Sequence, residues 1–369
     1  MKILLVVEYY IPHLGGVEVT VKEVTERLVK LGHEVHIVTC KLPDTESYEE
    51  INGVKIHRVS VPQKGDRYWF NSFFSIPKIL KIGKECDIIH AACYNNAFPP
   101  WITSKILRKR CVITVHEPIG ALWEDLVGID YFSAKLHQIF ERILISLPFD
   151  MHICVSRYAK NCLRFVGIKD EKLKVIYNGI DYDLFAPMKT DGSRIRQKLS
   201  LEDEFVYMFF GRPGITKGIE YLINAVPLIF KKIHNSKLLL ILAKDPRDRY
   251  ENVIKMIEDL NIDKIVLLDP VPREELPNYI AASDCVVVPS LSEGFGFTAV
   301  EACAMEKPVV ATDVSSLPEV VSGRYVLVEP RNPEALAEGV EKVYKGEVEN
   351  KGNKKFIWDG CVEEYLEVY

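Results

Sequence analysis

The chain has 369 residues, 48% of them hydrophobic and 27% charged, with a formal net charge of −5. That length predicts two domains and the apolar share suffices for packed cores, while the lack of a basic field excludes a general nucleic-acid binder. The nine cysteines form no CxxC pair and sit beside apolar residues, as in CVITV at Cys111 and CVVVP at Cys285, so buried reduced thiols are expected in place of zinc or disulfide frameworks.

KILLVVEYY opens the chain as a buried strand, too short to span a bilayer and not followed by a small-residue cleavage site. VEVTVKEVTERLVKLGH then predicts a helix, with Val17, Val21, Val24 and Leu28 on one side and Gly32 near its end. EVHIVTC, VKIHRVSV, CDIIHAA, CVITVHE, MHICVS and LKVIYNGI continue as strands. FVYMFFG, KLLLILA, KIVLLDP, CVVVPS and PVVATD form a second series. Short β-rich runs separated by helical patterns predict parallel sheets with crossover helices, hence an α/β chain of two doubly wound, Rossmann-like domains facing across a cleft. The polar stretch MKTDGSRIRQKLSLEDE opens the second series. The expected domains are 1–184 and 185–355, with a C-terminal helix over 356–369 that packs back on the first. Neither ILISLPF nor LLLILA is long enough to span a membrane, so a cytoplasmic protein is expected.

The densest chemistry lies in SEGFGFTAVEACA, residues 292–304. The strand CVVVPS ends before Glu293, Gly294 and Gly296 make a tight turn, and Thr298 opens a helix carrying Glu301. Free N–H groups and a positive dipole end behind a Gly-rich turn suit a phosphate or diphosphate, and carboxylates accept hydrogen bonds from sugar hydroxyls. Spacing alone fits a solvated Gly turn equally well. Arg212 and Lys217 are spaced to neutralise one phosphate group, or are surface cations. Gly15 and Gly16 follow the first strand, where the backbone either turns or approaches a ligand closely. His116 ends the strand CVITVH. His90, in DIIHAA, reads as scaffold. Asp181-Tyr182-Asp183 imitates a metal-binding D-x-D but belongs to turn chemistry.

Together these segments resemble a known family. Glu293 and Glu301 match the E-x7-E signature of retaining glycosyltransferases with two Rossmann-like domains, the GT-B, family 4-like group. GRPGITKGIEYLINAV (211–226), VIYNGID (175–181), PHLGGVE (12–18), LPNYIAASDCVVVPSLSEGFGFTAVEA (276–302) and KPVVATDVSSLPEVV (307–321) are similar to its other segments, so the resemblance covers nearly the whole chain. It implies transfer of a hexosyl group from a UDP-, GDP- or ADP-sugar to an acceptor hydroxyl with retention of configuration. It further implies that Arg212 and Lys217 grip the donor diphosphate, that Glu293 and His116 face the transferred sugar, and that Gly16 lies beside the donor phosphate or the acceptor. Gly15, Gly294, Phe295, Gly296, Phe297, Thr298, Glu301 and Val271 complete the expected donor site, with Glu301 on the ribose and the loop 269–272 on the base. With two cations for the diphosphate, no metal or other cofactor is expected. AKDPRDR stands where the family has a Gly-x-Gly turn, which leaves the base open. The acceptor is a glycan, a polyol or a lipid-linked hydroxyl. RYWFNSFFSIPKILK (67–81) and AFPPWITSKILRKR (97–110) mix aromatic and basic residues, either as core with a solvated basic end or as a peripheral membrane contact. An epimerase or phosphorylase of the same architecture, or a silent sugar-nucleotide binder, are the competing readings.

Overall fold

The computed structural model describes residues 1–13, 15–61, 73–125 and 130–369. They divide into two compact units, Met1–Gly179 with Phe356–Tyr369, and Ile180–Lys355.

Unit 1 is built on an eight-stranded sheet of β1 (Lys2–Val6), β2 (Glu34–Cys40), β3 (Tyr48–Ile51), β4 (Val54–Val59), β5 (Ile88–Ala91), β6 (Arg110–Val115), β7 (Met151–Cys154) and β8 (Leu173–Val175), in the order β3-β4-β2-β1-β5-β6-β7-β8. All pairings are parallel except β3 with β4. Chain order reverses at β1, between β2 and β5, which is the switch point where open α/β sheets receive ligands. Helices α1 (Gly16–Lys30), α2 (Ile76–Gly83), α3 (Phe98–Leu107), α4 (Tyr131–Ile145) and α5 (Arg157–Val166) connect the strands. Helix α1 stops at the expected glycine: Gly32 takes φ +85°, its N–H bonds Val29 O, and the His33 N–H bonds Leu28 O. Those two bonds satisfy carbonyls that the helix end leaves open.

The C-terminal helix Trp358–Val368 packs on α1 and completes this unit. Trp358, Tyr365 and Val368 are buried. The Tyr365 hydroxyl lies 3.2 Å from Thr114 Oγ1, and Tyr369 hydroxyl 2.7 Å from His90 Nδ1. Gly179 owes its identity to this helix, since a Cβ there would lie 2.4 Å from the Trp358 nitrogen.

Unit 2 carries a seven-stranded sheet of β9 (Phe205–Gly211), β10 (Ser236–Leu242), β11 (Ile265–Leu268), β12 (Cys285–Val288), β13 (Val309–Thr312), β14 (Gly323–Val328) and β15 (Glu349–Lys351), ordered β11-β10-β9-β12-β13-β14-β15. Only β14 with β15 is antiparallel. Its switch point lies between β9 and β12. The connecting helices are α6 (Gly192–Lys198), α7 (Ile219–Lys232), α8 (Arg247–Leu260), α9 (Leu276–Ala282), α10 (Phe297–Ala304), α11 (Leu317–Val320) and α12 (Pro333–Lys345). Val287, Leu240 and Phe209 of the sheet meet Leu222, Val226 and Ile229 of α7 in one core. No helix among the described residues is long and apolar enough to cross a membrane. The described cysteines carry free thiols, most of them buried.

Both sheets are parallel, as expected, except for one edge strand in each. β3 pairs antiparallel outside β4, and β15 outside β14. Their residues are largely exposed, so no apolar run marks them.

Candidate active site

In unit 2 the expected donor residues converge on the carboxyl ends of the two switch-point strands. β9 ends at Gly211, placing exposed Arg212 just past the strand, and the chain then turns through Thr216 and Lys217 into α7. This turn is tied to the loop after β12: the Leu291 N–H donates to Thr216 O at 2.6 Å. Gly218 is required at the junction, because it adopts φ +60° and a Cβ would lie 2.1 Å from the Pro289 carbonyl oxygen. That close approach brings Lys217 to Glu293, with Nζ 2.7 Å from Oε1.

Glu293 is buried. Its Oε1 also accepts from Ser290 Oγ at 2.8 Å, and its carbonyl accepts from Ser316 Oγ at 2.9 Å. A carboxylate withdrawn from water needs such partners. These bonds leave Oε2 as the second acceptor. Gly294 and Phe295 are buried in the turn, with Phe295 edge-on to Phe297 at 5.2 Å between ring centroids. Gly296, at φ +84°, is the N-cap of α10 and makes no side-chain cap bond. The helix begins at Phe297, one position before the expected Thr298.

Glu301, within α10, is more deeply buried, and Arg273 Nη2 lies 2.7 Å from its Oε1. Burial pushes this carboxyl above the usual range, and the Arg273 guanidinium pulls it back. Arg273 also lies over the Phe185 ring, 5.2 Å from its centroid. Arg273, Phe185, Ser290 and Ser316 escape the sequence reading. Val271 is half-buried in the loop between β11 and α9 that also carries Arg273. Asp181 accepts from the N–H groups of Asp183 and Leu184, each at 3.0 Å, while Asp183 pairs with Lys189 at 3.2 Å. The first aspartate is thus occupied in a turn.

In unit 1 the switch point has a different chemistry. Gly15 is the N-cap of α1 and Gly16 its first residue, with no side-chain cap. Beside them His13 Nδ1 lies 3.2 Å from Oε1 of the buried Glu18. His116 follows β6 and its Nε2 lies 3.0 Å from Ala92 O. A carbonyl can only accept, so the proton sits on Nε2 and Nδ1 is the ring's acceptor. Burial lowers the His116 pKa to about 4, so the ring is neutral. His90 is fully interior, with Nε2 2.8 Å from Thr114 Oγ1 and its pKa lowered by burial to about 3. It holds the scaffold. Of the stretch 67–81, residues 67–72 lie outside the described residues.

Residues 191–357 match the family described as Glycosyl transferases group 1, and residues 14–184 match Glycosyltransferase Family 4. The chain is 30% identical to an uncharacterized glycosyltransferase of Methanocaldococcus jannaschii, covering 100% of this chain and 98% of that protein. Sucrose-phosphate synthase from Thermosynechococcus elongatus superposes with a TM-score of 0.80 at 21% identity, over 100% of this chain and 98% of the other. HepE of Anabaena, solved in complex with UDP-glucose, does so at 0.75 and 19%, over 100% of each. The fold is that of the GT-B glycosyltransferases. The chain belongs to the glycosyltransferases, and it is an enzyme of that kind.

Proposed function

We propose that this enzyme transfers a hexosyl group from a nucleoside diphosphate sugar to an acceptor hydroxyl, with retention of anomeric configuration and without a catalytic metal. The observation that carries the reading is the Lys217–Glu293 pair at the unit 2 switch point, beside Arg212 and the Gly296 turn that starts α10. An arriving diphosphate gives Lys217 a second anion to bridge. Arg212 and the α10 N–H groups add positive potential where negative charge grows as the sugar–phosphate bond breaks. Such preorganised donors typically contribute about 10²–10³ in rate each.

Glu293 then uses Oε2 for a sugar hydroxyl and places negative charge near the developing oxocarbenium. Glu301 accepts from ribose hydroxyls, and the loop carrying Val271 meets the base. In unit 1, Nδ1 of neutral His116 accepts from a sugar hydroxyl, with Gly15 and Gly16 giving close backbone access. No side chain is assigned as a covalent nucleophile. The leaving phosphate takes the acceptor proton while the new bond forms on the same face. The UDP-glucose held by HepE supports a nucleotide-sugar donor for this chain.

The test is a thermal-shift panel with UDP, GDP, ADP and their common sugar conjugates, without added metal. One base class should raise the melting temperature, by an amount equivalent to about 2.7 kcal/mol at a hundredfold excess over Kd. No shift with any of them at millimolar ligand sinks the donor site. With the donor identified, an inverted anomer in the product sinks the retaining mechanism.

A further inference from the structure

Helix α4 is apolar on two sides. Its inner side is set into unit 1 through Ala134, Leu144 and Ile145. Its outer side exposes Phe132 (76%), Leu136 (54%), Ile139 (56%) and Ile143 (57%). At 100° per residue these four fall within an arc of roughly 60°, a continuous stripe along the helix. Single exposed apolar residues are ordinary on protein surfaces, whereas a contiguous row marks a contact surface. Exposed Arg142 borders the stripe on the same side as Lys135, which is paired with Glu124.

A second feature lies in the preceding connection of the same sheet, from α3 to β6. The run SKILRKR ends α3 and starts β6, with Lys105, Ile106, Arg108 and Arg110 exposed and no Asp or Glu anywhere from Phe98 to Val115. Asp150, just beyond α4, accepts from the Cys111 N–H at 2.7 Å and so joins the end of that run to the segment after the helix. The apolar stripe and the basic run thus belong to consecutive connections of one sheet, joined at this bond.

We propose that this face of unit 1 is a docking surface for an anionic lipid bilayer. The apolar row enters the acyl boundary and the basic run meets the phosphates, as in helices that lie in the interface plane. The 4-3-4 spacing of the stripe would equally suit a helix–helix seam. Charge decides between them: a second copy would set Arg142 and the basic run against their own kind, while an anionic surface complements them.

The test is flotation of the full chain with vesicles of phosphatidylcholine alone and of phosphatidylcholine with phosphatidylglycerol, at low and high salt. Binding is expected only to the anionic vesicles, weakening as salt rises. The double variants L136E/I139E and R108E/R110E should each lower binding by roughly tenfold or more while keeping the wild-type melting temperature. Both pairs are exposed, so folding should be unaffected. The proposal is overturned by any of three results: no binding to anionic vesicles at millimolar lipid, equal binding by L136E/I139E, or a dimer in sedimentation that this variant dissociates.

Discussion

The two switch points share a topology and differ in how they treat charge. In unit 2, four charged side chains sit in ion pairs at the strand ends: Lys217 with Glu293 and Arg273 with Glu301. In unit 1, the corresponding position offers glycines, a histidine that burial keeps neutral, and the buried Glu18 with His13, not a lysine or arginine, beside it. The proposed function gives this contrast a reason. A diphosphate needs cations whose charge is balanced until it arrives, and buried carboxylates provide that balance. A hydroxyl needs only an acceptor, and a neutral imidazole supplies one without the cost of burying an ion.

The strongest way to break the comparison is to remove the unit 2 cations. Lys217→Ala and Arg212→Ala should each lower turnover by about 10²–10³, with the loss mainly in kcat, because the charge they offset grows as the bond breaks. Steady-state kinetics with the donor found in the thermal-shift panel reads this directly. Unchanged kcat would place the leaving-group charge elsewhere. A purely structural counterpart is Gly218→Ala, where the positive φ and the Pro289 carbonyl at 2.1 Å leave no room for a methyl group. It should destabilise unit 2 by about 3 kcal/mol, seen as a lower melting temperature.

The comparison sharpens under acid. Eight of the nine histidines fall in unit 1, and only His234 lies in unit 2. Burial lowers His90 to about 3 and His116 to about 4, from an ordinary value of 6.5. A histidine held below its unfolded pKa stabilises the fold above pH 6.5, and that stability is lost as pH falls toward the folded value. These two should together cost about 2 kcal/mol between pH 7 and 5.5. Glu141, pushed up by burial in the same unit, offsets part of the loss. All four tryptophans belong to unit 1, so their fluorescence reports on it alone. The urea midpoint read by tryptophan should fall over this pH range. A midpoint that stays constant would show that the histidines are reached by water before unfolding.

Most of this organisation could be read from the chain, for a physical reason. Parallel strands buried on both faces need continuous apolar runs, and KILLV, CVITV, KLLLILA and CVVV supply them. Edge strands need no such run, so ENK of β15 and YEEI of β3 leave no mark. The site divides in the same way. Glu293 and Glu301 stand in a local turn-and-helix motif whose spacing is visible. Arg273 lies in another loop, and only the packing of the β11–α9 connection beside α10 brings it to Glu301. Its contact with Phe185 spans still more sequence. Ser290 and Ser316 are ordinary small residues until the fold aims their hydroxyls at Glu293.

Arg273 therefore gives the finest test of whether unit 2 works by paired charge. Glu301 has a folded pKa above its ordinary value, because burial disfavours its ionised form. Stability is accordingly highest at low pH and falls as pH rises from the ordinary carboxylate value to the raised one. Removing the guanidinium in Arg273→Met widens that window. The variant should match wild type near pH 4, where Glu301 is protonated in either protein, and lose about 1–2 kcal/mol by pH 8. Donor binding should weaken most at neutral pH and recover as pH rises and the carboxylate returns. Arg273→Lys should restore the charge but not the planar contact over Phe185, so a partial rescue separates the two contributions. Urea denaturation across this range decides the matter. A loss of the same size at every pH would mean that Arg273 acts through its packing on Phe185, and the ion pair would then be incidental to the proposed ribose contact.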